Sequence, residues 1–236
     1  AQSFFDERLS RLADASLFHK LEQLGEEAAR RWDQPDAGLW EFPGGKVDDV
    51  DHAITMERWC DGRTDASSSA LLQVPAGGLS FWVAAIRECF EEAGVLLAHH
   101  EDTGEVVRFD DPAVAERFAK ERENIHDGSL ALLELCKREN LHLSTHNIHY
   151  VSHWITPKGE RRRFDTRFFV ARAPEGQEPL HDDGETIESM WISPNEAIRR
   201  HREGDLMLMP PTLANIQFIA DHGDADAVLA AAAKVG

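Results

Sequence analysis

The segment Arg87-Glu88-Cys89-Phe90-Glu91-Glu92-Ala93-Gly94-Val95 constrains this chain more than any other. At about 100° per residue, Trp82, Ile86, Cys89, Phe90 and Ala93 fall on one side of a helix. Glu88, Glu91 and Glu92 fall on the opposite side, at i, i+3 and i+4. The pattern predicts a helix over 81–93, with Ser80 as N-cap and Gly94 just past the end. Like charges at these spacings oppose a helix by a few tenths of a kcal/mol per pair, and only Arg87 stands by to compensate. Such a helix packs its apolar side on a sheet and presents three carboxylates as one patch. The simplest use for that patch is a hard divalent cation, whose ligands are oxygens; Mg²⁺ typically takes one or two carboxylates plus waters and substrate phosphates. The plain alternative is an acidic face in contact with solvent.

The overall charge points to some partners and excludes others. Lys plus Arg is 25 and Asp plus Glu is 43, for a formal net charge of −18. A surface of that sign repels phosphate backbones, so a nucleic-acid partner is not expected. A small phosphorylated substrate remains compatible, because a bound metal inverts the local sign. The apolar runs are too short for a membrane span. Cys60, Cys89 and Cys136 are odd in number and form no C-x-x-C pair, which fits a reducing, cytoplasmic setting and gives no zinc framework.

Periodicity sets the order of elements. Residues 1–38 read as an N-terminal helical segment, with helix over 3–31 and a candidate break near Asp14 to Ser16; Phe5, Leu9 and Leu12 make one apolar row and Phe18, Leu21 and Leu24 another. Leu39 to Phe42 is a short strand candidate ended by Pro43-Gly44-Gly45. Residues 46–79 are acidic, then Ser- and Gly-rich, and read as loop or insertion. Val95 to Ala98 reads as strand, and helices are predicted over 112–123, with Pro112 at its first position, and 129–138. Ile148–Ile155, Arg163–Arg172 and Ile187–Ile192 carry β-branched and aromatic residues and read as strands, the first two joined as a hairpin through Lys158-Gly159-Glu160. Ser193 with Glu196 is a capping box. Helices follow over 212–220 and 224–234. The expected class is α/β (α+β): one mixed sheet flanked by helices.

The carboxylate segment resembles the Nudix hydrolase box, G-x5-E-x7-R-E-U-x-E-E-x-G-U with U aliphatic. Arg87, Glu88, Glu91, Glu92 and Gly94 match the fixed identities of its second half, with Cys89 and Val95 at the U positions. At roughly 6–7% usage per residue type, that coincidence arises about once in 10⁶ positions. Trp40-Glu41-Phe42-Pro43-Gly44-Gly45-Lys46-Val47 resembles the strand and loop that lead into the box. Asp51 stands where the family has Glu, and residues 52–86 stand where it has seven residues. This interruption, with 52–79 as the insertion, is similar to the branch that includes the peroxisomal acyl-coenzyme A diphosphatases. Trp154-Ile155-Thr156-Pro157, Arg163 to Phe169 and Trp191-Ile192-Ser193-Pro194 carry the same likeness, which runs over about residues 39–220. The implied domain is 39–222, a Nudix-type mixed sheet sandwiched between helices, with a C-terminal helix at 223–236. The family's opening strand and the Arg-containing motif of the coenzyme A branch are not evident in residues 1–38, so the sheet is expected to be one strand short.

The resemblance implies hydrolysis of a nucleoside diphosphate linked to a second moiety, X, with Mg²⁺ or Mn²⁺. It assigns Glu88, Glu91 and Glu92 to the metal cluster, Gly45 as a carbonyl ligand, and Arg87 as the residue that orients a carboxylate. A further ligand or base outside the box is expected at Glu185 or Glu188. Asp51 is a shorter stand-in for the family glutamate. Arg163 and Arg167 are candidates for substrate phosphate, and Arg167 also fits a structural ion pair. Trp40, Trp154 and Trp191 read as core residues. His142, His146, His149 and His153 have a 4-3-4 spacing that needs a helix to converge, and 148–155 reads as strand, so no histidine metal site is expected from them. A coenzyme A derivative is the substrate suggested by the branch. A non-catalytic nucleotide-binding module is the alternative, and either is compatible with a homodimer formed through the N-terminal segment.

Overall fold

The computed structural model describes residues 19–24, 39–52, 54–159, 163–177 and 186–235. Two compact units share the chain: Ala1–Phe42, Tyr150–Arg172 and Glu188–Gly236 in one, Pro43–His149 and Ala173–Ile187 in the other. Helices and short sheets alternate, the mixed α/β character expected from the sequence.

The first unit holds a four-stranded sheet. Strand β1 (His19–Leu24) pairs antiparallel with β2 (Leu39–Glu41), Glu22 opposite Glu41. β7 is Thr186–Ile192, and β8 (Met207–Leu208) runs parallel to β2. In the order β7-β1-β2-β8, β1 is an inner strand. The helix expected across residues 3–31 is therefore wrong at 19–24. Helix propensity is a weak local preference, and hydrogen bonding to a strand on each side outweighs it. The rest of that expectation lies outside the described residues. β1 also fills the place of the strand that residues 1–38 were expected to lack.

Strand β5 (Ile148–Ile155) pairs with β6 (Asp165–Ala171), as the hairpin reading required. Helix α5 (Pro194–Glu203) starts where Ser193 Oγ accepts from Glu196 N at 3.3 Å. The Glu196 carboxylate binds Arg199 and Arg200. Behind it, Ile192, Ala197, Ile198, Leu206, Leu208 and Ile216 form the core, the last from α6 (Pro210–Ala220). The chain closes with α7 (Ala225–Ala232). Trp154 and Trp191 do not join a core: they are 37% and 47% exposed. Trp154 lies at the end of β5, where His153, Trp154 and Ile155 are all exposed, and Trp191 is exposed beside the buried Ile192.

The second unit carries the carboxylate helix. Short 3-10 segments (Asp49–His52, Ile54–Trp59) lead into α1 (Asp65–Leu72) and then α2 (Leu79–Ala93). Ser67-Ser68-Ser69 lies in α1 and not in a loop, because Thr64 and Ser67 cap its start reciprocally. α2 begins two residues before the predicted start, and Ser80 is not its cap: the Ser80 hydroxyl pairs with His52 Nδ1 at 2.8 Å. Asp65 caps the end instead, accepting from Gly77 N and Leu79 N, each at 3.0 Å. A Cβ on Gly78 would lie 2.2 Å from Ser69 N, so only glycine lets α2 start this close to α1. Gly94, at φ 67°, ends the helix as expected. Strand β3 is Ala98–His100, displaced C-terminally from the predicted Val95–Ala98. α3 (Pro112–His126) begins on Asp111, whose carboxylate accepts from Ala113 N and Val114 N. α4 (Leu132–Glu139) leads into β4 (Leu141–Leu143), which pairs antiparallel with β3.

Candidate active site

α2 is fastened first by its apolar residues. Trp82, Val83 and Ile86 are fully buried, and Phe90 and Ala93 nearly so. Trp82 Nε1 donates to the Ile148 carbonyl at 2.9 Å, and the Arg63 guanidinium stacks on its ring at 4.3 Å. The two sides of the helical wheel do not divide cleanly into dry and wet, however. Cys89 is only half-buried, while Arg87 and Glu91 are buried at 6% and 9% exposure.

Arg87 is the hub. Its Nε and NH2 bind the two oxygens of Asp51, each at 3.0 Å, a bidentate pair. NH1 binds Glu91 Oε1 at 2.8 Å and NH2 binds Glu88 Oε1 at 2.8 Å. NH2 also donates to the Lys46 carbonyl at 2.8 Å, which ties the glycine loop to the helix. Burial works against the Arg87 charge, but the hydrogen bonds it donates to Asp51 and the charges of Glu88 and Asp51 outweigh it and raise its pKa further. Asp51, 3% exposed, is thereby committed to Arg87. Burial, then the neighbouring Glu91 charge, raises the Glu88 carboxyl from 4.5 to about 7 even against the pull of Arg87.

The glycine loop lies against the carboxylates. Gly44 N donates to Glu92 Oε2 at 2.8 Å. A Cβ on Gly45 would lie 2.4 Å from Glu88 Oε1, so glycine is what lets the loop and the carboxylate coexist. On the other side Arg122 of α3 donates from Nε to the Glu91 carbonyl and from NH2 to the Glu92 carbonyl, both at 2.7 Å. A cation thus satisfies the last turn of α2. The sequence offered no signal for Arg122, since its role depends on how α3 packs.

Gly45, Arg87, Glu88, Glu91 and Glu92 are therefore gathered in one place. All-oxygen donors of this kind match Mg²⁺ or Mn²⁺. Their carboxylate oxygens do not converge as ligand atoms within 4.8 Å; among the described residues only Asp61, His99 and His142 do that. Each glutamate is held by a protein donor instead.

The remaining candidates lie elsewhere in the chain. Glu188 is on β7, but its side chain, like all of Glu185, is outside the described residues. Arg163, two residues before β6, donates from Nε to the Thr156 carbonyl at 2.9 Å. Arg167 on β6, its side chain 9% exposed, pairs with Asp165 at 2.7 Å. His142 lies on β4, His146 in a 3-10 turn (Thr145–Asn147), and His149 and His153 on β5. Cys60 and Cys136 are buried and Cys89 is half-buried. Among the described residues, no helix is long and apolar enough to cross a membrane.

Residues 62–219 match the family described as the NUDT19 Nudix domain. The chain belongs to the NUDT19 Nudix family. Similar curated Nudix proteins include the acyl-coenzyme A diphosphatase NUDT19 of Xenopus laevis, 26% identical over 200 residues, covering 72% of this chain and 52% of that protein. The Gallus gallus protein of the same name is 27% identical, covering 72% and 53%, and the Homo sapiens one 29%, covering 61% and 40%. The chain spans about half the length of the curated relatives it matches. The crystal structure of a Nudix hydrolase from Alicyclobacillus acidocaldarius shares the fold at a TM-score of 0.68 and 20% identity, covering 89% of this chain and 86% of that one.

Proposed function

We propose that this Nudix chain hydrolyses the pyrophosphate linkage of a nucleoside diphosphate joined to X, and that X belongs to a coenzyme A derivative. The observation that carries the reading is the Arg87 hub, which holds Glu88 and Glu91 beside the glycine loop while Gly44 N holds Glu92. The substrate class rests on the names of the NUDT19 relatives.

Glu91 and Glu92 are the proposed ligands of Mg²⁺ or Mn²⁺, with the Gly45 carbonyl beside them. Bound there, the cation neutralises the anhydride and stabilises charge on the leaving phosphate oxygen. Arg87 orients Glu91 and Glu88 by hydrogen bonds made before substrate arrives, so little reorganisation remains for the reaction. Glu88, with a carboxyl near neutrality, suits the acceptance of the proton from the attacking water. The products are a nucleoside monophosphate and phosphorylated X. A binding-only module gained its weight from an incomplete sheet, and β1 supplies the strand.

Product analysis by mass spectrometry over acyl-coenzyme A, NADH, ADP-ribose and nucleoside triphosphates, each with Mg²⁺ or Mn²⁺, tests this. Cleavage of acyl-coenzyme A at the anhydride is expected, with turnover lowered at least about 100-fold by Glu91→Gln or Glu92→Gln. Preference for another member of the panel would overturn the substrate. Turnover that survives both substitutions would overturn the site.

A further inference from the structure

A second group of ligating side chains shares no residue with the glutamate site. In the β3–β4 ribbon His99 stands directly opposite His142, so both imidazoles project from one face. Their ring centroids are 5.9 Å apart. The inserted segment reaches the same place. Cys60 bridges to Leu143, Asp61 N donates to the Leu143 carbonyl at 3.1 Å, and Thr145 Oγ1 donates to the Asp61 carbonyl at 2.7 Å.

The Asp61 carboxylate is then met from both sides. His99 Nε2 lies 2.7 Å from Oδ2, and His142 Nδ1 lies 2.8 Å from Oδ1. The far nitrogen of each ring also faces an oxygen. His99 Nδ1 is 3.1 Å from Ser144 Oγ, and His142 Nε2 is 3.7 Å from Glu101 Oε1. The His146 ring stands edge-on to His99 at 6.4 Å.

We propose that Asp61, His99 and His142 form a binding site for a divalent transition-metal ion of the zinc class, which fastens the inserted segment to the β3–β4 ribbon. Two imidazole nitrogens and one carboxylate oxygen make a borderline donor set that suits zinc and its neighbours, whereas Mg²⁺ favours oxygen alone. Three protein ligands leave a fourth tetrahedral position for water. Metal-bound imidazoles typically hand their other N–H to a hydroxyl or a carboxylate, and Ser144 and Glu101 stand where those acceptors are needed. Ligands at about 2.0–2.1 Å around a tetrahedral ion sit about 3.3 Å apart, so the contacts with Asp61 open by about half an ångström. A metal-bound imidazole carries its proton on the nitrogen facing Ser144 or Glu101. The side chains are 14%, 19% and 37% exposed for His99, His142 and Asp61, so an ion can enter from solvent.

Calorimetric titration of the chelator-treated full chain with Zn²⁺ tests the site. Thermal melts with and without the ion, and the visible spectrum with Co²⁺, accompany it. One equivalent bound at micromolar Kd or tighter is expected, with a raised Tm and the intense bands of tetrahedral Co²⁺. His99→Gln and His142→Gln should each weaken binding at least about 100-fold and abolish the Tm rise. Asp61→Asn, which preserves shape, serves if a histidine variant does not fold. A chain with both Glu91→Gln and Glu92→Gln should bind Zn²⁺ like the parent. No binding by the parent, binding indifferent to all three substitutions, or binding lost in the glutamate variant would each overturn the proposal.

Discussion

Glu88 shows how one carboxylate can oppose the fold that holds it. Unfolded, it ionises near 4.5; folded without metal, near 7. Between those values the unfolded chain has released a proton that the folded chain retains, so stability falls as pH rises through the window and levels off above it. The shift corresponds to about 3 kcal/mol. Urea midpoints of the metal-free protein should therefore drop from pH 5 to pH 8, and Glu88→Gln should remove that component. An unchanged slope in the variant would show that the carboxyl is not held near 7. Gly45 makes the opposite separation of function from stability. Gly45→Ala must push the Glu88 carboxylate away from a contact of 2.4 Å. Turnover should fall on the order of 10²-fold while the unfolding free energy stays within about 0.5 kcal/mol, read from steady-state kinetics beside urea denaturation. That the glutamates, Arg87 and the Gly45 loop come together was legible in the sequence through helical spacing and the resemblance to the Nudix box. Asp51's commitment to Arg87 was not, since a stand-in for a ligand and a partner for an arginine look the same in one dimension.

At the scale of elements, α2 depends on Trp82 as much as on its carboxylates. Trp82→Ala should cost about 3–5 kcal/mol and Trp82→Phe about 1–2 kcal/mol, the latter through the lost bond to the Ile148 carbonyl. Urea denaturation separates the two, and a cost near zero for Trp82→Phe would show that the indole N–H contributes nothing. Elements with a strong period or a cap were readable: α2 through its apolar stripe, α3 through Asp111 and Pro112, α5 through Ser193. The inserted stretch was not. Its α1 is held by Thr64, and its Asp65 caps a different helix, so the signal that starts α2 lies 14 residues upstream of Leu79. Local composition reads such a stretch as loop.

At the scale of the molecule, β1 decides whether the four-stranded sheet is complete. Every backbone N–H of an inner strand faces one neighbour or the other. Gln23→Pro should therefore remove a ladder bond and destabilise the protein by about 1–3 kcal/mol or more, seen as a lower Tm with loss of strand signal by circular dichroism. An unchanged melt would mean that β1 does not stand between β7 and β2. The sequence by itself determined the α/β class, the order of most helices and strands, and the carboxylate patch, because period and residue chemistry act over a few positions. Only the tertiary structure decided that His19–Leu24 is a strand, that Asp65 caps α2, and that Asp61 meets His99 and His142. Each of these is set by groups far apart in the chain, whose pairing exists only once the backbone between them has folded.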